Sequence, residues 1–191
     1  MKTILATTLA LTFAAPVAAQ TAADIVGMDE AARQTVLKAA AEETLACWAR
    51  GMDLTLEGKA EEALTAWTDC YAHPDYAFRV LFNGQTIEGE GAAGRAETNV
   101  RTGGMFGYTG AYHFVSNVEV ERTGDDTATA TALQTADHFR EDGTVERTYG
   151  VITVELAQVA EGVWRATDEL MDIHRMIGVG TRPAPAAMVQ Q

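Results

Sequence analysis

Two histidines, His113 and His138, stand 25 residues apart in stretches that read as strands, and an aspartate, Asp53, falls on the long helical pattern before them. An imidazole in a partly desolvated pocket can take and return a proton near neutral pH, and a carboxylate can orient it, which is what general acid-base catalysis requires. Each residue also has a structural alternative. His113 can be a satisfied core histidine, His138 lies near a turn, and Asp53 follows Arg50 by about one helical turn, within reach of a surface ion pair.

Weaker candidates surround these three. Tyr76, Tyr112, Asn117 and Tyr149 could contact a substrate, although each also suits a structural place. His73 precedes Pro74 in an expected exposed loop. His174 with Asp172 and Glu169 suggests a metal cluster, but on one final strand a surface or structural role is favoured. The chain has no helical His-Glu-x-x-His and no Gly-x-Ser-x-Gly elbow, and Gly89 to Gly94 lacks the order and flanking lysine of a phosphate loop. A metal hydrolase and a serine hydrolase are therefore unsupported.

The elements that must hold these groups follow from periodicity. Val36, Leu37, Ala40, Ala41, Leu45, Trp48, Met52 and Leu56 recur at helical spacing, with Asp29 as N-cap and Gly58 as stop. A shorter helix carries Ala63, Leu64 and Trp67 and ends before Pro74. Tyr76 to Phe82 reads as a strand closed by the Asn83-Gly84 turn. A glycine-rich turn then leads into a short helix, Ala93 to Arg101, and Gly103-Gly104 with Gly107 reads as a mobile loop able to act as a lid. Four strands follow, Tyr112 to Arg122, Thr127 to Arg140, Arg147 to Leu156 and Val163 to Ile173, as an antiparallel meander.

Helices first and a long sheet afterwards predict an α+β domain: a curved antiparallel or mixed sheet, closed into a cone by the N-terminal helices. On the second strand of the meander His138 shares parity with Ala136, Gln134, Ala132, Ala130 and Ala128, an alanine face that leaves room for a ligand. On the first, His113 shares parity with Val115 and Asn117.

Lys2, the apolar run Ile4 to Ala15 and the small residues Val17-Ala18-Ala19 describe a signal peptide, residues 1–19, that directs the protein to the periplasm or the medium. The domain is expected over 29–177 and a disordered tail over 178–191. The net charge of −13 opposes phosphate backbones and anionic lipid, so neither nucleic acid nor a membrane anchor in the mature protein is expected. Cys47 and Cys70 flank the break between the two helices and are either a disulfide or two buried thiols.

The order of helix pair, strand, small helix and meander ending in Gly162-Val163-Trp164 resembles the SnoaL-like branch of the nuclear transport factor two-like fold. Within it the chain is most similar to the scytalone dehydratase-like group, through Tyr112-His113-Phe114, the later His138, and Trp48-Ala49-Arg50-Gly51-Met52-Asp53. The resemblance covers Ala31 to Ile177. It implies a cofactor-independent dehydratase or isomerase of a small cyclic hydroxy-carbonyl compound, with His113 as the acid-base residue and Asp53 orienting His138. The family's tyrosine just before the helix aspartate is Met52 here, and its strand tyrosine corresponds to Tyr76. A homodimer, or a trimer, is a fold-level expectation. The alternatives are a noncatalytic carrier of a small apolar ligand and a dimerisation module.

Overall fold

A computed structural model describes residues 29–181. The expected signal segment and residues 182–191 lie outside the described residues. Helix α1 (Glu30–Leu56) begins where Asp29 Oδ1 accepts the Ala32 N–H at 2.8 Å. Its apolar stripe buries Leu37, Ala41, Leu45, Trp48 and Met52. Helix α2 (Ala60–Cys70) packs back on it through Trp67, whose indole donates to the Trp48 carbonyl at 3.1 Å. Gly51 makes this approach possible, because a Cβ there would meet Trp67 Nε1 at 2.0 Å. Of the two alternatives for the cysteines, the structure has the disulfide: Cys47 and Cys70 tie α1 to the end of α2.

The sheet comprises β1 (Ala72–Phe82), β2 (Gln85–Glu90), β3 (Tyr108–Arg122), β4 (Thr127–Arg140), β5 (Thr144–Ala160) and β6 (Val163–Thr181), in the order β2-β1-β6-β5-β4-β3. The meander from β3 to β6 is antiparallel as expected, and β1 joins it parallel to β6. Strand β1 starts earlier than Tyr76 and includes His73, so that histidine is in the sheet rather than in a loop. Strand β6 continues to Thr181, past the expected domain end at 177.

Between β2 and β3, helix α3 runs from Gly91 to Phe106. It passes through Gly103-Gly104, where a mobile loop was expected. Gly103 sits in helix because Leu56 packs over it, and a Cβ there would meet Leu56 Cδ2 at 2.2 Å. The helix ends at Phe106, and Gly107 caps it in the left-handed conformation, with φ of 69°.

Bulges decide which side chains face inward. In β3 the partner of Ser116 is Leu133 and that of Glu119 is Thr131, so one residue is extra on β3. Asn117 takes the left-handed conformation there, with φ of 53°. The interior parity therefore passes from His113 to Val118. In β6 the pairing jumps between Ala166 and Asp168, which turns Glu169 and Met171 to the interior after Trp164 and Ala166.

The alanine face of β4 is buried as the alternation predicts, but it is not ligand space. Ala128, Ala130 and Ala132 belong to the core with Leu45, Trp48, Trp164 and Leu156. Open space begins only where β4 reaches Gln134 and His138.

Candidate active site

His113 lies on β3, the edge strand beside α1, and its neighbour across that edge is Asp53. Asp53 Oδ1 accepts the His113 main-chain N–H at 2.9 Å and lies 2.7 Å from His113 Nδ1. The aspartate thus caps an edge donor that has no strand partner, and it occupies one ring nitrogen. His113 lines an interior cavity, so the free nitrogen is Nε2. Trp48 packs edge-on against the ring, with centroids 5.5 Å apart, and restricts its rotation.

The expected pairing of Asp53 with His138 is therefore corrected. His138 is on β4, one strand further from α1, opposite Ala111 rather than His113. Its ring stacks on Tyr108 at 4.5 Å and meets the His113 ring edge-on at 5.5 Å. Both histidines line the same cavity, but only His113 is held by the carboxylate.

Burial sets the charge states. It pushes the Asp53 carboxyl up to about 8, opposed by the His113 N–H and assisted by nearby Glu57. It drives His113 down to about 3, with Arg95 acting the same way, and His138 down to about 3, with His113 adding to it. The common cause is dehydration of the charged forms. The two imidazoles are neutral at neutral pH, and the Asp53-His113 pair releases its proton in the mildly alkaline range as a unit. Asp53 keeps 23% of its side chain exposed, through a groove between α1 and β3, so the pair can exchange protons with bulk water.

The cavity has about 80 Å³ of free space. This is small beside the usual range for ligand pockets, about 300–1,000 Å³. Met52, Met171 and Met176 line it, and thioether side chains can rearrange around a ligand. Met52 contributes no hydroxyl to the cavity.

The four expected substrate contacts are placed elsewhere. Tyr76 is 1% exposed and donates its hydroxyl to Glu169, not to the cavity. Tyr112 is adjacent to His113 on β3, so the pleat turns it outward, to the groove outside the cone. Asn117 is exposed at the bulge. Tyr149 faces out because its neighbour Thr148 faces the cavity. Glu169 points inward and wholly buried, while His174 is exposed and pairs with Asp172 at 3.2 Å, so the three do not converge. Among the described residues no group of three or more His, Cys, Asp or Glu side chains is placed to hold a metal ion.

Gln134 lines the cavity from the face of β4 that it shares with His138, and residues not singled out from the sequence add to the polar lining: Tyr108, Thr148 and, from α3, Arg95, Thr98, Asn99 and Thr102. The α3 set follows helical spacing, and Arg95, Thr98 and Asn99 fall within the helix expected over Ala93 to Arg101, whose cavity-facing side was not singled out.

No family model matches the chain, and no curated protein matches it. Solved structures do. One is a candidate scytalone dehydratase of Novosphingobium aromaticivorans, 16% identical, with a TM-score of 0.60 over 84% of this chain and 99% of that one. The fold is nuclear transport factor two-like. Another such structure is the hexachlorocyclohexane dehydrochlorinase LinA-type3 of Novosphingobium barchaimii, 15% identical, with a TM-score of 0.62 over 82% of this chain and 99% of that one. A candidate aromatic ring hydroxylase of Novosphingobium aromaticivorans is 21% identical, with a TM-score of 0.58 over 74% and 92%. At these identities the likeness is one of fold, the α+β cone expected from the sequence. Among the described residues no helix is long and apolar enough to cross a membrane.

Proposed function

We propose that the protein is an exported, cofactor-independent dehydratase or isomerase that uses the Asp53-His113 pair for acid-base chemistry on a small cyclic hydroxy-carbonyl compound. The observation that carries this reading is the double engagement of Asp53 Oδ1 by the main chain and Nδ1 of His113, beside a cavity that His113 and His138 both line. With Asp53 as carboxylate, Nδ1 keeps its hydrogen and Nε2 offers a lone pair to the cavity. His113 takes the proton from the carbon next to the carbonyl. The C–H electrons form the new double bond, the bond to the hydroxyl breaks, and the imidazolium returns the proton to the departing oxygen, which leaves as water. His113 ends neutral, as it began. His138 is the second polar contact, for the carbonyl or the hydroxyl. Two of the similar structures bear names of elimination enzymes, a dehydratase and a dehydrochlorinase, which accords with this class of step.

Export rests on the signal-like first residues and agrees with the Cys47-Cys70 disulfide, a bond that persists in oxidising compartments. Phe114, Leu133 and Tyr149, exposed on the outer sheet face, are the proposed seat of a second copy. The functional test is a screen of cyclic β-hydroxy-ketones for enone formation by wild type, His113→Ala and His138→Ala. Turnover that vanishes in His113→Ala supports the proposal. Binding of the same compounds without turnover favours a ligand carrier.

A further inference from the structure

One wall of the cavity is polar and has no part in the proton transfer. It comes from α3, through Arg95, Thr98, Asn99 and Thr102. Arg95 is 2% exposed. Its Nε and Nη2 donate to Glu169 Oε1 at 3.1 and 3.0 Å. Tyr71 donates to Glu169 Oε2 at 2.8 Å, and Tyr76 donates to the same oxygen. Burial and the carboxylate push both phenols well up, so they remain donors.

A guanidinium has five N–H donors. Two are used on Glu169, and Nη1 has no hydrogen-bond partner among the described residues. The two phenols draw part of the Glu169 charge to the far oxygen, so Arg95 keeps more of its own positive character than in a simple pair. A second unused group faces the same space: Gln134 lines the cavity, and its Oε1 is buried without a partner. Leaving a buried polar group unpaired costs about 1–3 kcal/mol, which a ligand that pairs with it recovers.

We infer that Arg95 binds a substrate oxygen that carries or develops negative charge, and that Gln134 accepts a hydrogen from a substrate hydroxyl. The ligand class is then a small cyclic compound with a carboxylate, or a carbonyl that becomes an enolate, on one side and a hydroxyl on the other. A fixed guanidinium in a dry site stabilises such an oxygen more as its charge grows, which favours the transition state over the bound substrate. This assignment rests on the acid-base reading for its catalytic meaning, while its binding content can be measured separately.

The test is calorimetric titration of the whole protein with cyclohex-1-ene-1-carboxylate and with the corresponding neutral carboxamide. Wild type is expected to bind the carboxylate at least tenfold more tightly. Arg95→Lys retains a cation against Glu169 but has one nitrogen, and it should lose that preference. The double substitution Arg95→Gln with Glu169→Gln removes the whole ion pair and should lose it too, which covers the case in which one variant does not fold. His113→Ala should keep it. Equal affinity for the two probes, binding of neither by wild type, or a preference that survives in the Arg95 variants overturns the inference. A retained carboxylate preference with no turnover of any hydroxy-ketone sinks the acid-base reading alone.

Discussion

Asp53 Oδ1 holds His113 at two points, 2.9 Å from the main-chain nitrogen and 2.7 Å from Nδ1, so one oxygen fixes both where the strand lies and which way the ring faces. A carboxylate that only oriented a side chain could be lost with little effect on the backbone. This one links the helix to the sheet edge and the sheet edge to the chemistry.

Asp53→Asn separates those two functions. The amide oxygen can still accept the main-chain N–H, so the fold should persist, with an unchanged far-ultraviolet circular dichroism spectrum. The imidazolium formed during proton transfer loses its counter-charge, and kcat should fall by about 10²-fold or more with a much smaller change in KM. A fall in KM-linked binding with kcat preserved would assign Asp53 to structure alone.

The pH profile follows from the same pair. Burial raises the Asp53 carboxyl to about 8, and the working base is the state with that proton gone. Activity should rise with pH and level off above about 8, and in Asp53→Asn that inflection should be absent. A profile flat from pH 6 to 9 in wild type contradicts the assignment.

His138 makes a stability prediction. Its folded value lies at about 3, below the ordinary 6.5, because burial disfavours the imidazolium. The folded state therefore binds the proton less readily than the unfolded state. The contribution to stability is complete above pH 6.5 and is lost as pH falls from 6.5 towards 3. His138→Gln has no group to titrate there, so between pH 7 and pH 4 it should lose less stability than wild type, by a margin on the order of 3 kcal/mol. Urea unfolding at the two pH values measures the margin, and equal losses would contradict it.

The disulfide closes a loop between residues separated by 23 positions. By chain entropy, opening such a loop costs about 3 kcal/mol. The Cys47→Ser/Cys70→Ser double variant should show a lower urea midpoint with the same fold, whereas an unchanged midpoint would mean that α1 and α2 are held by the Trp67 contact alone.

Much of this arrangement was legible from the sequence, and the parts that were not depend on bulges, strand order and tertiary packing. The alternation of β4 correctly sets Gln134 and His138 on the inner face, because an unbroken strand keeps period two. On β3 and β6 the period is reset by bulges, at Asn117 and near Thr167, and no residue type there demands one. That is why Asn117 was expected beside His113 and why the inward turn of Glu169 was missed. The choice of His113 over His138 as the partner of Asp53 depends on which strand forms the sheet edge, a property of the pairing order rather than of local sequence. The helix that carries Arg95 was expected over Ala93 to Arg101, but its continuation through Gly103 and the side it turns to the cavity depend on tertiary packing, with Leu56 seated over Gly103.

The measurement that bears most directly on the central claim is proton exchange at carbon, which needs no knowledge of the natural substrate. Wild-type protein and His113→Ala would each be incubated with a small cyclic ketone in deuterated water, and the loss of the proton signal next to the carbonyl followed by nuclear magnetic resonance. Exchange well above the buffer rate is expected with wild type and buffer-level exchange with His113→Ala. Exchange that is equal in the two proteins, or absent in wild type while the ketone is bound, would contradict His113 as the base.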